Sequence, residues 1–175
     1  MSLNALLHAA LPHPCFDRPF VCDGRPEACI AIILGENPAT RLDIDWWRFW
    51  DDDAGFDLKG FEHHYQTSRR AAGKRPMSNT RLRLNRLRSQ GLRCLEANAF
   101  INERLNGRGA GATDTPLMPV LLTNLPLLRA VVAHGVVASK YLSKLSLPQG
   151  VEAHHVGHFR NLSFAKLDAL VQTLL

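Results

Sequence analysis

No apolar run in this sequence approaches the roughly 18 residues that a membrane-spanning helix requires. Low-complexity tracts and internal repeats are also missing, which argues against disorder and against a repeat array. Neither GxGxxG, a P-loop nor GxSxG occurs, so the sequence lacks the usual marks of an α/β nucleotide-binding or hydrolase domain. The four cysteines, Cys15, Cys22, Cys29 and Cys94, include no pair at the short gap of a zinc knuckle. Cys29 and Cys94 sit in apolar runs, where a thiol acts as a small hydrophobe, so the set is read as reduced structural thiols, with an iron–sulfur cluster as the alternative. The opening MSLNALLHAALPHP has neither the positive start nor the long apolar stretch of a secretory signal. It reads as a short helix after Ser2 that stops before Pro12 and Pro14, and the expected location is cytoplasmic.

One absence is local. Between His63 and Leu95 there is no Asp or Glu, yet nine Lys or Arg residues fall there: Arg69, Arg70, Lys74, Arg75, Arg81, Arg83, Arg86, Arg88 and Arg93. Six aspartates, Asp43, Asp45, Asp51, Asp52, Asp53 and Asp57, lie just upstream. The net charge of +5 is thus strongly segregated. A basic block of this kind attracts a phosphate backbone, or it is a solvated helix face that binds nothing.

What is present describes one globular domain, 1–175, with 46% apolar residues and room for a core. Four segments read as buried strands: ACIAIIL (28–34), LRCLEANAF (92–100), RAVVAHG (129–135) and VEAHHVGHF (151–159). Between them, 80–90, 115–128 and 136–145 have helical character, and the tail places Leu167, Leu170, Val171 and Leu174 on one face after an N-cap at Ser163. Residues 102–115, rich in glycine, read as a long loop. Strands alternating with crossover-length helices predict an α/β fold: a four-stranded parallel sheet covered on both faces, a three-layer sandwich.

Each expected strand ends in polar groups. Glu36 and Asn37 follow the first, Glu96 and Asn98 lie on the second, His134 on the third, and His154, His155 and His158 on the fourth. Ligands of open α/β sheets bind outside the carboxyl ends of the strands, where loops converge. Four polar strand ends predict one lined pocket, and they explain why the apolar run Ile32–Leu34 stops at Gly35.

These residues carry a resemblance. Gly35-Glu36-Asn37-Pro38 after an apolar strand resembles the first motif of the uracil-DNA glycosylase superfamily, and RFWDDDAGF (48–56) is similar to the segment that follows it in the mismatch-specific branch. HFRNLS (158–163) resembles the second motif, with Phe159 and Asn161 in place of its prolines and Arg160 in place of its first serine. VVAHGVVASKYL (131–142) is similar to the third strand and following helix of these enzymes. Ala39 stands where the mismatch-specific branch commonly has Gly.

The resemblance implies a uracil-DNA glycosylase-like fold and a monofunctional DNA glycosylase that hydrolyses the N-glycosidic bond of uracil or another deaminated or mismatched base. DNA is then the partner, the protein acts as a monomer, and neither cofactor nor metal is required. The alternative is a non-catalytic nucleic-acid-binding protein that keeps the fold. Asn37 maps onto the residue that holds the attacking water, and His158 onto the imidazole that donates to the leaving base; in a simpler reading Asn37-Pro38 is only a tight turn. An amide cannot accept a proton at neutral pH, so slow catalysis is expected. Asn98, Glu36, Trp46 and Trp47 are the expected base-binding residues, Asn98 through its donor and acceptor and the tryptophans through stacking. Arg160, Leu162 and Ser163 of the second motif are the expected DNA contacts, with Leu162 as the wedge that fills the gap left by a flipped nucleotide; Arg81 and Arg83 are expected contacts on the charge of the basic block alone.

Overall fold

A computed structural model of the chain describes residues 2–38, 42–100 and 117–175. Ala39 and the expected loop 102–115 lie outside the described residues. Among them no helix is long and apolar enough to cross a membrane.

The fold is mixed α/β around a five-stranded, mostly parallel sheet. In chain order the strands are β1 (Phe20–Val21), β2 (Ala31–Gly35), the hairpin β3 (Trp50–Asp51) and β4 (Gly55–Phe56), then β5 (Cys94–Asn98), β6 (Ala130–His134) and β7 (Glu152–Val156). The helices are α1 (Leu3–Ala10), α2 (Leu58–Ala71), α3 (Asn79–Ser89), α4 (Leu117–Asn124), α5 (Val136–Leu142) and α6 (Phe164–Leu174). The sheet runs β1-β5-β2-β6-β7. Strand β2 is parallel to β5, with Gly35 opposite Asn98, and to β6, with Ala31 opposite Ala130; β7 continues the parallel set beside β6.

All four expected strands are present, and all are parallel to one another. The difference is a fifth, β1, which adds antiparallel to β5 through Phe20 opposite Ala97 and Val21 opposite Glu96. Two residues are too few for any periodicity, so β1 leaves no trace in the pattern. Helix α2 is likewise additional to the expected set; its apolar stripe is only Leu58, Phe61 and Tyr65 among polar residues, and Phe61 alone is fully buried.

Both faces of the sheet are covered because β2 is apolar on both sides. Ile32 and Leu34 pack into a core with α1, α4, α5 and the Trp46 region, while Ala31 and Ile33 pack with Leu84 and Leu87 of α3 and Leu167 and Val171 of α6. Side-chain caps start the helices where the sequence offers them: Ser2, Asp57, Ser78 and Ser163 each accept a backbone N–H from the first turn. The aspartate run is a hairpin turn, in which Asp51 Oδ1 accepts from the N–H groups of Asp53 (2.9 Å) and Ala54 (2.7 Å). Gly55, at φ +87°, lies so close to the Gly24 backbone that a Cβ would approach it to 2.5 Å. No other residue fits there.

The one buried carboxylate of the sheet is Glu96, on β5 (9% exposed). Arg81 and Arg88 of α3 both pair with it, Arg88 at 2.6 Å. Burial alone would raise its pKa, but Arg81, Arg88 and Arg18 together hold it below the ordinary carboxylate value. Glu96→Gln would leave buried guanidiniums without a counter-charge. The expected cost is about 3–5 kcal/mol, read as a lower urea midpoint with an unchanged slope.

Candidate functional site

A cavity of about 570 Å3 opens at the carboxyl ends of β2, β5 and β6, inside the usual range for small-molecule and nucleotide sites. Gly35, Glu36 and Asn37 enter it from the end of β2, Asn98 from β5, His134 from β6, and His158 from the turn after β7. Asn37 and His158 therefore flank one space. Glu36 and Asn37 both line it although they are adjacent, because the strand ends at Gly35 and strict alternation stops there. Gly35 forms part of the wall: a Cβ on it would lie 2.9 Å from Asn98 Oδ1 and 3.2 Å from His134 Nε2.

Two imidazoles set the chemistry of the wall. His134 is buried (8% exposed), stacks on Phe159 at 4.6 Å and meets His158 edge-on at 5.0 Å. Burial, followed by the positive charge His158 can carry, lowers the His134 pKa to about 4. It is neutral at physiological pH, and its Nδ1 has no hydrogen-bond partner among the described residues. The His158 pKa is also lowered, by burial and then by Arg160. The backbone N–H of Arg160 donates to His158 Nδ1 at 3.2 Å. A neutral His158 must then carry its proton on Nε2, as a hydrogen-bond donor. The phenyl of Phe159 supplies the plate on which His134 rests.

Of the expected base-binding residues, Asn98 and Glu36 line the cavity, whereas neither tryptophan does. Trp46 is fully buried, donates from Nε1 to the Phe20 carbonyl at 3.0 Å and packs edge-on against that ring. Trp47 stacks against His8 and His13, at 4.4 and 4.1 Å, the two imidazoles lying side by side and hydrogen-bonded to each other at 3.1 Å, and it donates to the Pro12 carbonyl. Both expectations are corrected: these rings tie the N-terminal segment to the domain. The aromatic ring that does face the cavity is Tyr65 on α2, with the Arg81 guanidinium 5.4 Å from its centre.

The expected DNA contacts divide similarly. Arg160 is exposed at the cavity rim. Arg81 is 3% exposed and committed to Glu96, so it is a structural ion-pair partner in the cavity wall rather than a surface contact. Arg83 is also engaged internally, donating to the Leu162 carbonyl at 2.7 Å and the Asn79 carbonyl at 3.0 Å. It braces the turn that carries His158. Leu162 is half-buried against the α3–α6 core, and Phe164, two residues on, is 52% exposed. Ser163 caps α6 by accepting the Lys166 N–H at 3.3 Å. His154 and His155 do not line the cavity.

His134, expected in the pocket as a polar strand end, does line it, whereas two further lining residues escape sequence reasoning. Tyr65 has no local signal, since the ring reaches the cavity only through the packing of α2. Arg18 likewise comes from outside the strand ends; it is half-buried on the cavity wall, with its pKa lowered by burial and by Arg81. Among the described residues no carboxylate lies within ion-pair distance of it. With Glu96 already shared between Arg81 and Arg88, the wall keeps a positive excess suited to an electron-rich ligand.

No protein-family model matches this chain, and no curated protein matches it at a significant level.

The depressed pKa of His134 has a sign that can be checked. Below about pH 6.5 the unfolded chain takes up a proton here that the folded state refuses until about pH 4. Stability is therefore complete above that window and falls through it on acidification, by up to roughly 3 kcal/mol. His134→Gln should flatten the pH dependence of the denaturation midpoint between pH 6.5 and 4, and an unchanged slope would refute the assignment.

Proposed function

We propose that this protein is a monofunctional DNA glycosylase of the uracil-DNA glycosylase type, removing uracil or another deaminated or mismatched base. The observation that carries the reading is the meeting of Asn37 and His158, from opposite ends of the sequence, across one cavity that also holds the Asn98 amide. An α/β sheet with its polar groups gathered at the carboxyl strand ends is consistent with it.

In this reading the nucleotide is extruded into the cavity. Asn98 meets the imide edge of the base, and Tyr65 offers the stacking ring that the tryptophans do not. The bond between base and sugar breaks with its electron pair leaving on the base. The Nε2–H of His158 donates to a base oxygen as that charge grows, and Arg18 supplies positive charge in the same cavity wall. A fixed donor in a dry site stabilises developing charge without a full proton transfer. Water held by Asn37 adds to the oxocarbenium-like sugar carbon, and its proton passes to solvent. No lysine of the matched motifs is placed to form a covalent intermediate, so strand cleavage is not expected. Because Asn37 orients water but takes no proton, turnover is slow.

The test is base release from single- and double-stranded oligonucleotides carrying U, G·U, G·T or hypoxanthine, followed by alkaline cleavage at abasic sites. Asn37→Ala and His158→Ala should each lower the single-turnover rate by about 10²–10³-fold, with DNA binding largely kept. Salt-sensitive binding without release on every substrate would favour the non-catalytic binder. A separate variant probes the cavity wall. Gly35→Ala sets a methyl against Asn98 Oδ1, so it should displace that amide and reduce discrimination between bases, with the circular dichroism spectrum of the wild type.

A further inference from the structure

The chain that leaves the cavity after His158 is exposed nearly throughout. Arg160, Asn161, Ser163, Phe164, Ala165 and Lys166 all face water, and Leu162 alone among them turns inward. Phe164 is the odd member of this set, an aromatic ring that opens α6 with 52% of its surface exposed.

A lone apolar residue on a surface needs no explanation, but this ring is held. The guanidiniums of Arg83 and Arg86 lie 5.7 and 5.9 Å from its centre, within the range of cation–π attraction. Both arginines belong to α3, and both are themselves anchored, Arg83 on the Leu162 carbonyl at 2.7 Å and Arg86 on Asp168 at 2.9 Å. The ring is therefore pinned from the side of the protein, and the rest of its surface stays open. Val136, also exposed, borders the same turn from α5, because Gly135 before it lies against His158.

The charge around the ring has one sign. Arg160 and Lys166 are exposed on either side of it in sequence, and Asp168, the carboxylate of α6, is engaged by Arg86 and Gln90. An aromatic face beside cations captures an unstacked nucleobase together with its phosphate. In a duplex the same base would first have to be unstacked from its neighbours.

We propose that Phe164 is a stacking platform for an unpaired nucleobase, and that the partner at this face is single-stranded nucleic acid. A base near the extruded nucleotide lies on the open side of the ring, and Arg160 and Lys166 meet the phosphates. The inference rests on nucleic acid being the partner, as in the glycosylase reading, and not on base release.

The experiment measures binding of the intact chain to a short oligonucleotide of undamaged bases, single-stranded and as duplex, by fluorescence anisotropy at low ionic strength. A 2-aminopurine in the strand reports stacking by loss of its emission. The expected result is tighter binding of the single strand, with quenching of the probe. Phe164→Ala and Phe164→Leu should each lower single-strand affinity by about tenfold and abolish the quenching, whereas Phe164→Trp keeps both. Because the ring carries no charge, the salt dependence of these variants stays that of the wild type. Wild-type affinity in Phe164→Leu would mean that the position needs only an apolar cover, and it overturns the proposal. So does a duplex bound as tightly as the single strand, or a single strand that is not bound at all. Base release accompanied by any of these results leaves the glycosylase reading standing, whereas stacking without release on any substrate leaves the platform and removes the enzyme.

Discussion

A carboxylate placed in the middle of an apolar strand would be excluded from the fold unless something brought positive charge to it, and Glu96 is placed there. Arg81 and Arg88, two turns apart on α3, converge on it from above the sheet. The consequence reaches beyond one ion pair. Helix α3 cannot rotate about its axis without stranding the charge, so its orientation on β5 is fixed, and with it the apolar contacts of Leu84 and Leu87. Arg81 is thereby held against Tyr65 in the wall of the larger cavity, and Arg88 is delivered to the wall of a smaller one beside Cys29 and Cys94. Apolar residues of similar volume would often be at least as stable in such a place. What the ions add is position, and both cavities depend on it.

Position also describes the larger cavity. Three of its titratable groups are held in a fixed state: His134 is kept neutral by burial, His158 carries its proton on a defined nitrogen, and Glu96 is engaged twice over. Such a wall offers fixed dipoles and a modest positive excess without a strong base. That suits a reaction whose difficulty is charge accumulating on a departing group, and it would serve poorly for one that must abstract a tightly held proton.

Much of this architecture was legible before any coordinates. β2 and β6 announced themselves because each is a run of small or branched apolar residues, and α3 and α6 because leucines recur at helical spacing. The gathering of Asn37, Asn98 and His158 followed from strand direction alone, since parallel strands bring all their carboxyl ends to one edge. The parts that stayed hidden depend on tertiary packing. Trp46 and Trp47 look like exposed stacking rings in a motif neighbourhood, yet the choice between core and cavity is made by Phe20 and by the histidines of the N-terminal segment. Arg81 and Arg83 are indistinguishable from surface cations until their acceptors, Glu96 and the Leu162 carbonyl, are known. Arg18 and Tyr65 enter the site from elements that no local pattern connects to it.

The cations withdrawn into the protein have one more consequence. Arg81 and Arg88 are spent on Glu96, Arg86 on Asp168, Arg83 and Arg69 on main-chain carbonyls. A polyelectrolyte approaching the basic segment from outside meets mainly Arg70, Lys74, Arg75, Arg93 and the surface-paired Arg86, together with Arg160 at the rim. If a polyanion is the partner, this small set of exposed cations limits the counterions displaced outside the cavity, and with them the salt dependence of any nonspecific contact.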